Sequence, residues 1–246
     1  AHVTVAGDPI SPHPSQDEFW NDPVTGDYRI TLTEGITYTL YAEAWTEGYE
    51  PTVREIDPLT ADVTENLTLT AEAETCVAPG YALNTAHDQD FESDDGSYTH
   101  SGDQDEWEWG TPSTWPYGCA SGERCWGIDL DDKYDNEADQ ELYSASIDLS
   151  GVPSGTPLLV KWQQAWHLES ATYDHAFAEV SINGGPWTEM WRHETATTQV
   201  DWTEMNYDLS AAAGGNVQFR WRMTSDGSVT YSGYYIDHVQ IYRGCT

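Results

Sequence analysis

Basic residues are scarce in this sequence. Nine Lys and Arg stand against 43 Asp and Glu, a formal net charge of −34. A surface of that sign repels the phosphates of nucleic acids and the headgroups of anionic membranes, which excludes both as partners. It favours divalent cations, cationic partners or neutral polymers. It also suits a salty or calcium-bearing exterior, where screening softens self-repulsion. Long apolar runs are missing, so no stretch reads as a membrane-spanning helix. Segments of helical period and useful length are missing as well. The sequence carries no HExxH, no GxSxG, no phosphate loop and no Cys–His nucleophile pattern, and His193-Glu194 lacks the second His of a zinc peptidase helix. No catalytic residues, and no enzyme activity, are expected. Cysteine is limited to Cys76, Cys119, Cys125 and Cys245, none in a CxxC or Cys/His zinc spacing. An even count in an acidic, Trp-rich β chain points to two disulfides and an oxidising, extracellular setting. Three pairings are possible. We favour Cys119 with Cys125, closing a short loop, and Cys76 with Cys245, tying the entry of the second domain to its exit.

What the chain has in quantity is aromatic surface, with 12 Trp and 15 Tyr, enough apolar area for a sizeable core. Short alternating segments separated by turn signals predict an all-β protein. Residues 1–75 form a first unit, 76–85 a Pro/Gly-containing linker and 86–246 a second unit. In the first, Tyr28, Ile30 and Leu32 share one face and Tyr38, Leu40, Ala42 and Ala44 another, which predicts a hairpin about a Thr-Glu-Gly turn. Asn66–Ala71 reads as a closing strand, and Asn66-Leu67-Thr68 is a glycosylation sequon. In the second, Leu158–Leu168, Phe177–Ile182 with Trp187–Trp191, and Val217–Met223 all read as strands. In the last of these, Arg220 and Arg222 face away from the apolar side. Near the C-terminus, Gly233–Tyr242 alternates so that Tyr235, Asp237, Val239 and Ile241 share one face. A carboxylate on a core face needs a cation, an Arg or several hydrogen-bond donors. Arg220 and Arg222 are candidates to pair with it.

The run from Asp22 to Pro51 resembles the carboxypeptidase regulatory-like domain, a small transthyretin-like β-sandwich. The matching positions are Asp22, Gly26, Tyr28, Tyr38 to Leu40, Gly48, Tyr49 and Pro51. That family opens with a strand ahead of the segment on which this chain begins, His2-Val3-Thr4-Val5, so an open sheet edge is expected there. Such an edge would accept a strand from a neighbouring molecule and could build a fibre or other homo-oligomer. The second unit resembles the MAM-like jelly-roll β-sandwich found in secreted bacterial peptidases of the immune inhibitor A and subtilisin-like kinds. The resemblance rests on Asp90-Phe91-Glu92, Trp107 to Pro112, Ser121-Gly122 with Cys125-Trp126-Gly127, Leu142-Tyr143-Ser144, Phe219-Arg220-Trp221 and Gly233 to Asp237. Together the units resemble a non-catalytic region that follows the catalytic domain, binding protein substrate or an extracellular polymer. The jelly-roll resemblance implies a structural Ca2+ held by Glu92 and Asp237. The loop carrying Asp129, Asp131 and Asp135 is a candidate to complete it, although it lacks the sixth-position Gly of an EF-hand. Trp115 and Tyr117, in a Pro-containing loop, are the candidate exposed contacts, with a carbohydrate-binding module as a further reading.

Overall fold

The computed structural model describes residues 2–6, 18–22, 24–44, 46–72, 78–79, 83–196 and 198–245. The chain divides into two compact units, Ala1–Leu83 with Gly244–Thr246, and Asn84–Arg243. Both are built of β-strands, and among the described residues only one 3-10 turn, Ser210–Ala212, is defined. Among the described residues no helix is long and apolar enough to cross a membrane.

The first unit holds β1 (His2–Ala6), β2 (Glu18–Trp20), β3 (Tyr38–Glu43), β4 (Tyr49–Glu50), β5 (Thr52–Ile56) and β6 (Thr70–Ala71). One sheet runs β2-β1-β3-β5, and β4 pairs with β6. Val3, Tyr38, Leu40, Ala42 and Ile56 form its core, with Tyr28, Ile30 and Leu32 packed against it. Two expectations are corrected here. Residues 26–33 are not a strand, and β3 pairs with β1 and β5 instead of forming a hairpin with them. The reason is local: the Tyr38 hydroxyl donates to the Thr33 carbonyl and accepts from its N–H, while Gly35 N–H bonds the Leu59 carbonyl. The backbone groups a hairpin would use are therefore spent elsewhere. Nor is β1 an open edge, because β2 pairs with its free side, Val3 opposite Phe19. The strand-acceptor route to a fibre loses its motivating feature. The expected closing strand is shortened to Thr70–Ala71, with Leu67 and Leu69 half-buried on the core.

The second unit holds β7 (Leu83–Gln89), β8 (Thr99–Asp103), β9 (Trp107–Gly110), β10 (Cys125–Ile128), β11 (Asp139–Tyr143), β12 (Ile147–Asp148), β13 (Leu159–His167), β14 (His175–Ile182), β15 (Thr188–Arg192), β16 (Gln199–Asp208), β17 (Asn216–Thr224) and β18 (Gly233–Cys245). One sheet runs β16-β13-β18-β10-β9, with β7 also on β18. The other runs β15-β14-β17-β11-β8, with β12 also on β17. The pairings among β8 to β18 are antiparallel, and the two sheets form a sandwich. Period-2 patterning explains the packing. On β17, Val217, Phe219, Trp221 and Met223 are fully buried while Gln218, Arg220 and Arg222 point outward. Trp107, Trp126 and Trp162 are core residues.

β18 departs from simple alternation. Lys161 pairs with Gln240 but Gln163 with Asp237, so β18 carries one extra residue, and His238 sits at φ 46°. This is a β-bulge, and it resets which side each residue faces. Tyr234, Ile236, Val239 and Ile241 enter the inter-sheet core, whereas Tyr235 packs on the opposite face with Leu130 and Ala165. The expectation that Tyr235, Asp237, Val239 and Ile241 share one face is thereby corrected. Asp237 precedes the bulge and lies on the Tyr235 side.

Candidate functional site

Asp237 is wholly buried even so, because the loop between β9 and β10 covers it. Its Oδ2 accepts the Ser121 backbone N–H at 2.8 Å and the Ser121 hydroxyl at 3.3 Å. Its Oδ1 is buried with no hydrogen-bond donor. Burial pushes its carboxyl up to about 6, against the pull of the Ser121 N–H. Neither expected arginine reaches it: Arg220 bonds Glu179 and Glu141, and Arg222 bonds Asp139. Their outward direction on β17, read from the sequence, is the reason.

The same loop receives Glu92. Its carboxylate accepts the Arg124 N–H at 3.0 Å and the Glu123 N–H at 2.9 Å, and these bonds hold it below the usual glutamate range. Gly122 lies against that carboxylate with φ 56°, and a Cβ there would stand 2.1 Å from Glu92 Cδ. The Cys119–Cys125 disulfide closes the loop. Thus one disulfide loop clasps two acids contributed 31 and 116 residues away. Cys76 lies outside the described residues, and so does its expected pairing with Cys245.

Asp129, Asp131 and Asp135 are not brought to this clasp. They follow β10, whereas the clasp loop precedes it, and four strand residues span roughly 13 Å. They organise their own loop instead. Asp129 Oδ1 accepts the Asp132 N–H at 2.9 Å, and Asp135 N–H bonds Glu106 Oε2 at 2.9 Å. Burial raises the carboxyls of both Asp129 and Glu106.

A third acidic group was not read from the sequence. Glu169, Asp174 and Asp226 place ligand oxygens within 4.8 Å of one another, an arrangement that could hold a metal ion. Asp174 is fully buried; Tyr134 donates to its Oδ2, and Asp226 N–H to its Oδ1 at 2.9 Å. Glu169 Oε2 is buried without a donor. Burial and the two neighbouring carboxylates raise the Glu169 carboxyl. The residues come from the β13–β14 and β17–β18 connections, 52 positions apart. No local spacing announces them, and Asp226-Gly227-Ser228 reads simply as a turn.

Trp115 is half-buried, edge-on to His167 at 5.5 Å and to Tyr235 at 5.9 Å. It anchors its loop to the sheet. Tyr117, two residues on, is 77% exposed. Asn66 is exposed on the first unit.

The outward face of the β15-β14-β17-β11-β8 sheet carries two cross-strand rows. One runs Arg192, Phe177, Arg222, Glu141, Ser101, and the next Glu189, Glu179, Arg220, Tyr143, Thr99. Arg220 bonds Glu179 at 2.6 Å and Glu141 at 3.1 Å, Arg222 grips Asp139 with two 2.8 Å bonds, and Arg192 holds Glu189. Each guanidinium also lies over a ring: Arg220 4.7 Å from Trp187, with Arg192 and Arg222 at 5.6 and 5.8 Å from Phe177.

No family model matches the chain. Over 159 residues, 64% of its length, it is 33% identical to Bacillopeptidase F of Bacillus subtilis (strain 168). The chain covers 11% of that protein, about a tenth of its length. Among solved structures, TmCBM61 in complex with beta-1,4-galactotriose superposes with a TM-score of 0.44 and 18% identity, covering 62% of this chain and 93% of that one. The family 22 carbohydrate binding module of Clostridium thermocellum Xyn10B gives 0.42 and 11%, covering 65% and 94%. Both likenesses are too distant to carry an argument about function.

Proposed function

We propose that the chain is a non-catalytic accessory region of a secreted peptidase that binds protein substrate or a surface polymer and is stabilised by calcium. The observation that carries the reading is the 33% identity to Bacillopeptidase F, confined to a stretch far too short to be that whole protein. The test is cosedimentation of the purified chain with insoluble cell wall, polysaccharides and fibrous proteins, beside a labelled-casein digestion assay. Retention on at least one of these materials with no casein cleavage is expected. Casein cleavage, or retention on none of them, overturns the proposal.

Calcium is argued from Asp237. A buried carboxylate oxygen with no donor suits a hard cation, which takes six to eight oxygen ligands. Glu92, held by the same loop, is its natural partner, and Glu92 Oε2 accepts one N–H, which leaves it a lone pair to share. Bound calcium would neutralise the buried charge and fix the loop. The Glu169–Asp174–Asp226 group is a second candidate place. A ligand held only by the folded state stabilises by about 2.7 kcal/mol at one hundred times its Kd, which is roughly 5–10 °C in Tm for a unit of this size. Calorimetry in calcium and in EGTA should show such a rise, and Asp237→Asn should abolish it. If Glu169→Gln abolishes it while Asp237→Asn does not, the ion belongs to the other cluster. An unchanged Tm in wild type refutes calcium altogether.

A further inference from the structure

We propose that the outward face of the β15-β14-β17-β11-β8 sheet is the ligand platform, and that its occupant is a neutral glycan chain lying across the strands. This rests on the accessory-region reading and names the polymer class. Three of the chain's nine basic residues, Arg192, Arg220 and Arg222, stand on this one face. They meet four carboxylates, Glu141, Glu179, Glu189 and Asp139, and Asp103, opposite Asp139 on β8, is a fifth acid on the face. A protein of net charge −34 thus gathers a third of its basic residues on this face.

The chemistry narrows the occupant. A polyanion is repelled by the molecule as a whole. A cationic partner must displace arginines already bonded to four of the face's carboxylates, Arg222 with two bonds to Asp139. A purely apolar partner would strand those charges out of water. A neutral hydroxylated ring meets none of these costs. Each guanidinium has five N–H donors and spends only some of them internally. The carboxylates keep lone pairs for ligand hydroxyls. Phe177, Trp187 and Tyr143 supply ring surface, Tyr143 and Trp187 lying 5.9 Å apart at 51°. The pairing lattice holds these groups in place before any ligand arrives, which lowers the ordering cost of binding. The rows cross four inter-strand gaps, roughly 19 Å, room for several sugar rings. An extended peptide, by contrast, docks by main-chain bonds to a sheet edge, which a face does not offer.

The test is affinity electrophoresis of the whole chain through gels containing neutral soluble polysaccharides (xylan, galactan, mixed-linkage glucan, hydroxyethyl cellulose), with gelatin gels in parallel. Retardation by at least one glycan is expected. Trp187→Ala, which removes a ring without removing a charge, should weaken it about tenfold, and Tyr143→Ala should weaken it similarly, with far-UV circular dichroism and Tm retained. If wild type is retarded by a glycan and both variants behave like it, the platform is wrong while the accessory reading stands. Retardation by gelatin alone gives a peptide occupant and overturns the glycan. Retardation by neither overturns the glycan, and if cosedimentation fails too, the accessory reading falls with it.

Discussion

Gly122 has no room for a side chain. Its φ of 56° and the 2.1 Å approach of Glu92 make Gly122→Ala doubly unfavourable. A loss of about 2–3 kcal/mol is expected from urea unfolding, through strain and the displaced carboxylate. Val229 is the opposite case: a β-branched residue at φ 63° and half exposed. Val229→Gly should stabilise by about 1 kcal/mol, because it relieves a conformation that such side chains rarely adopt; an unchanged or lower urea midpoint would refute that. Asp139 supplies a pH signature. The Arg222 guanidinium holds its carboxyl below the ordinary value of 3.8. A depressed folded value means stability that is present above 3.8 and lost as the pH falls through the folded value. Asp139→Asn should therefore be less stable than wild type at neutral pH, by a margin that shrinks steadily below 3.8. Asp139 is half exposed, so the margin is small. A margin independent of pH would contradict the ion pair.

At the scale of elements, the loop closed by Cys119–Cys125 does the work of a counter-ion for two carboxylates. Removing the disulfide frees a short loop, worth about 2 kcal/mol of chain entropy, and also loosens the bonds to Glu92 and Asp237. The Cys119→Ala/Cys125→Ala double variant should therefore lose more stability in thermal melts than Cys119–Cys125 loop entropy alone predicts, and a loss at or below that figure would mean the clasp survives reduction. The disulfide was legible because five residues between two cysteines suit a closed loop. The strands were legible wherever apolar residues alternated strictly, as on β17. Alternation misled on β18, because a bulge adds one residue without any mark in the sequence. It misled again at Tyr28–Leu32, whose apolar side chains do pack inward but whose run ends at Thr33, where the Tyr38 hydroxyl takes both backbone groups. Of the candidate acids read from local spacing, Asp129 accepts the Asp132 N–H of its own loop, and Asp135 is fixed through its backbone N–H to Glu106. The Glu169–Asp174–Asp226 group, assembled from separate connections, had no local signature.

For the molecule as a whole, charge dominates the solution behaviour. A net charge of −34 destabilises the compact state by self-repulsion. Raising potassium chloride from about 0.01 M to about 1 M shortens the Debye length from roughly 30 Å to roughly 3 Å. In EGTA, Tm should climb by several degrees over that range, and a flat profile would show that the acids are already locally compensated. The second unit has a further property. Its first strand, β7, lies along its last, β18, with Arg243 bonded to Asn84 at 2.7 Å and His238 and Gln240 both reaching Asp88 at 3.0 Å. As the residue number rises along one strand it falls along the other, so the chain enters and leaves this unit side by side. Tension applied at Asn84 and Arg243 does not shear a row of bonds in parallel. It peels β7 from β18 one bond at a time, as a zip opens. Under load the unit behaves as a mechanical fuse that yields at this seam, while β18 stays held between β13 and β10.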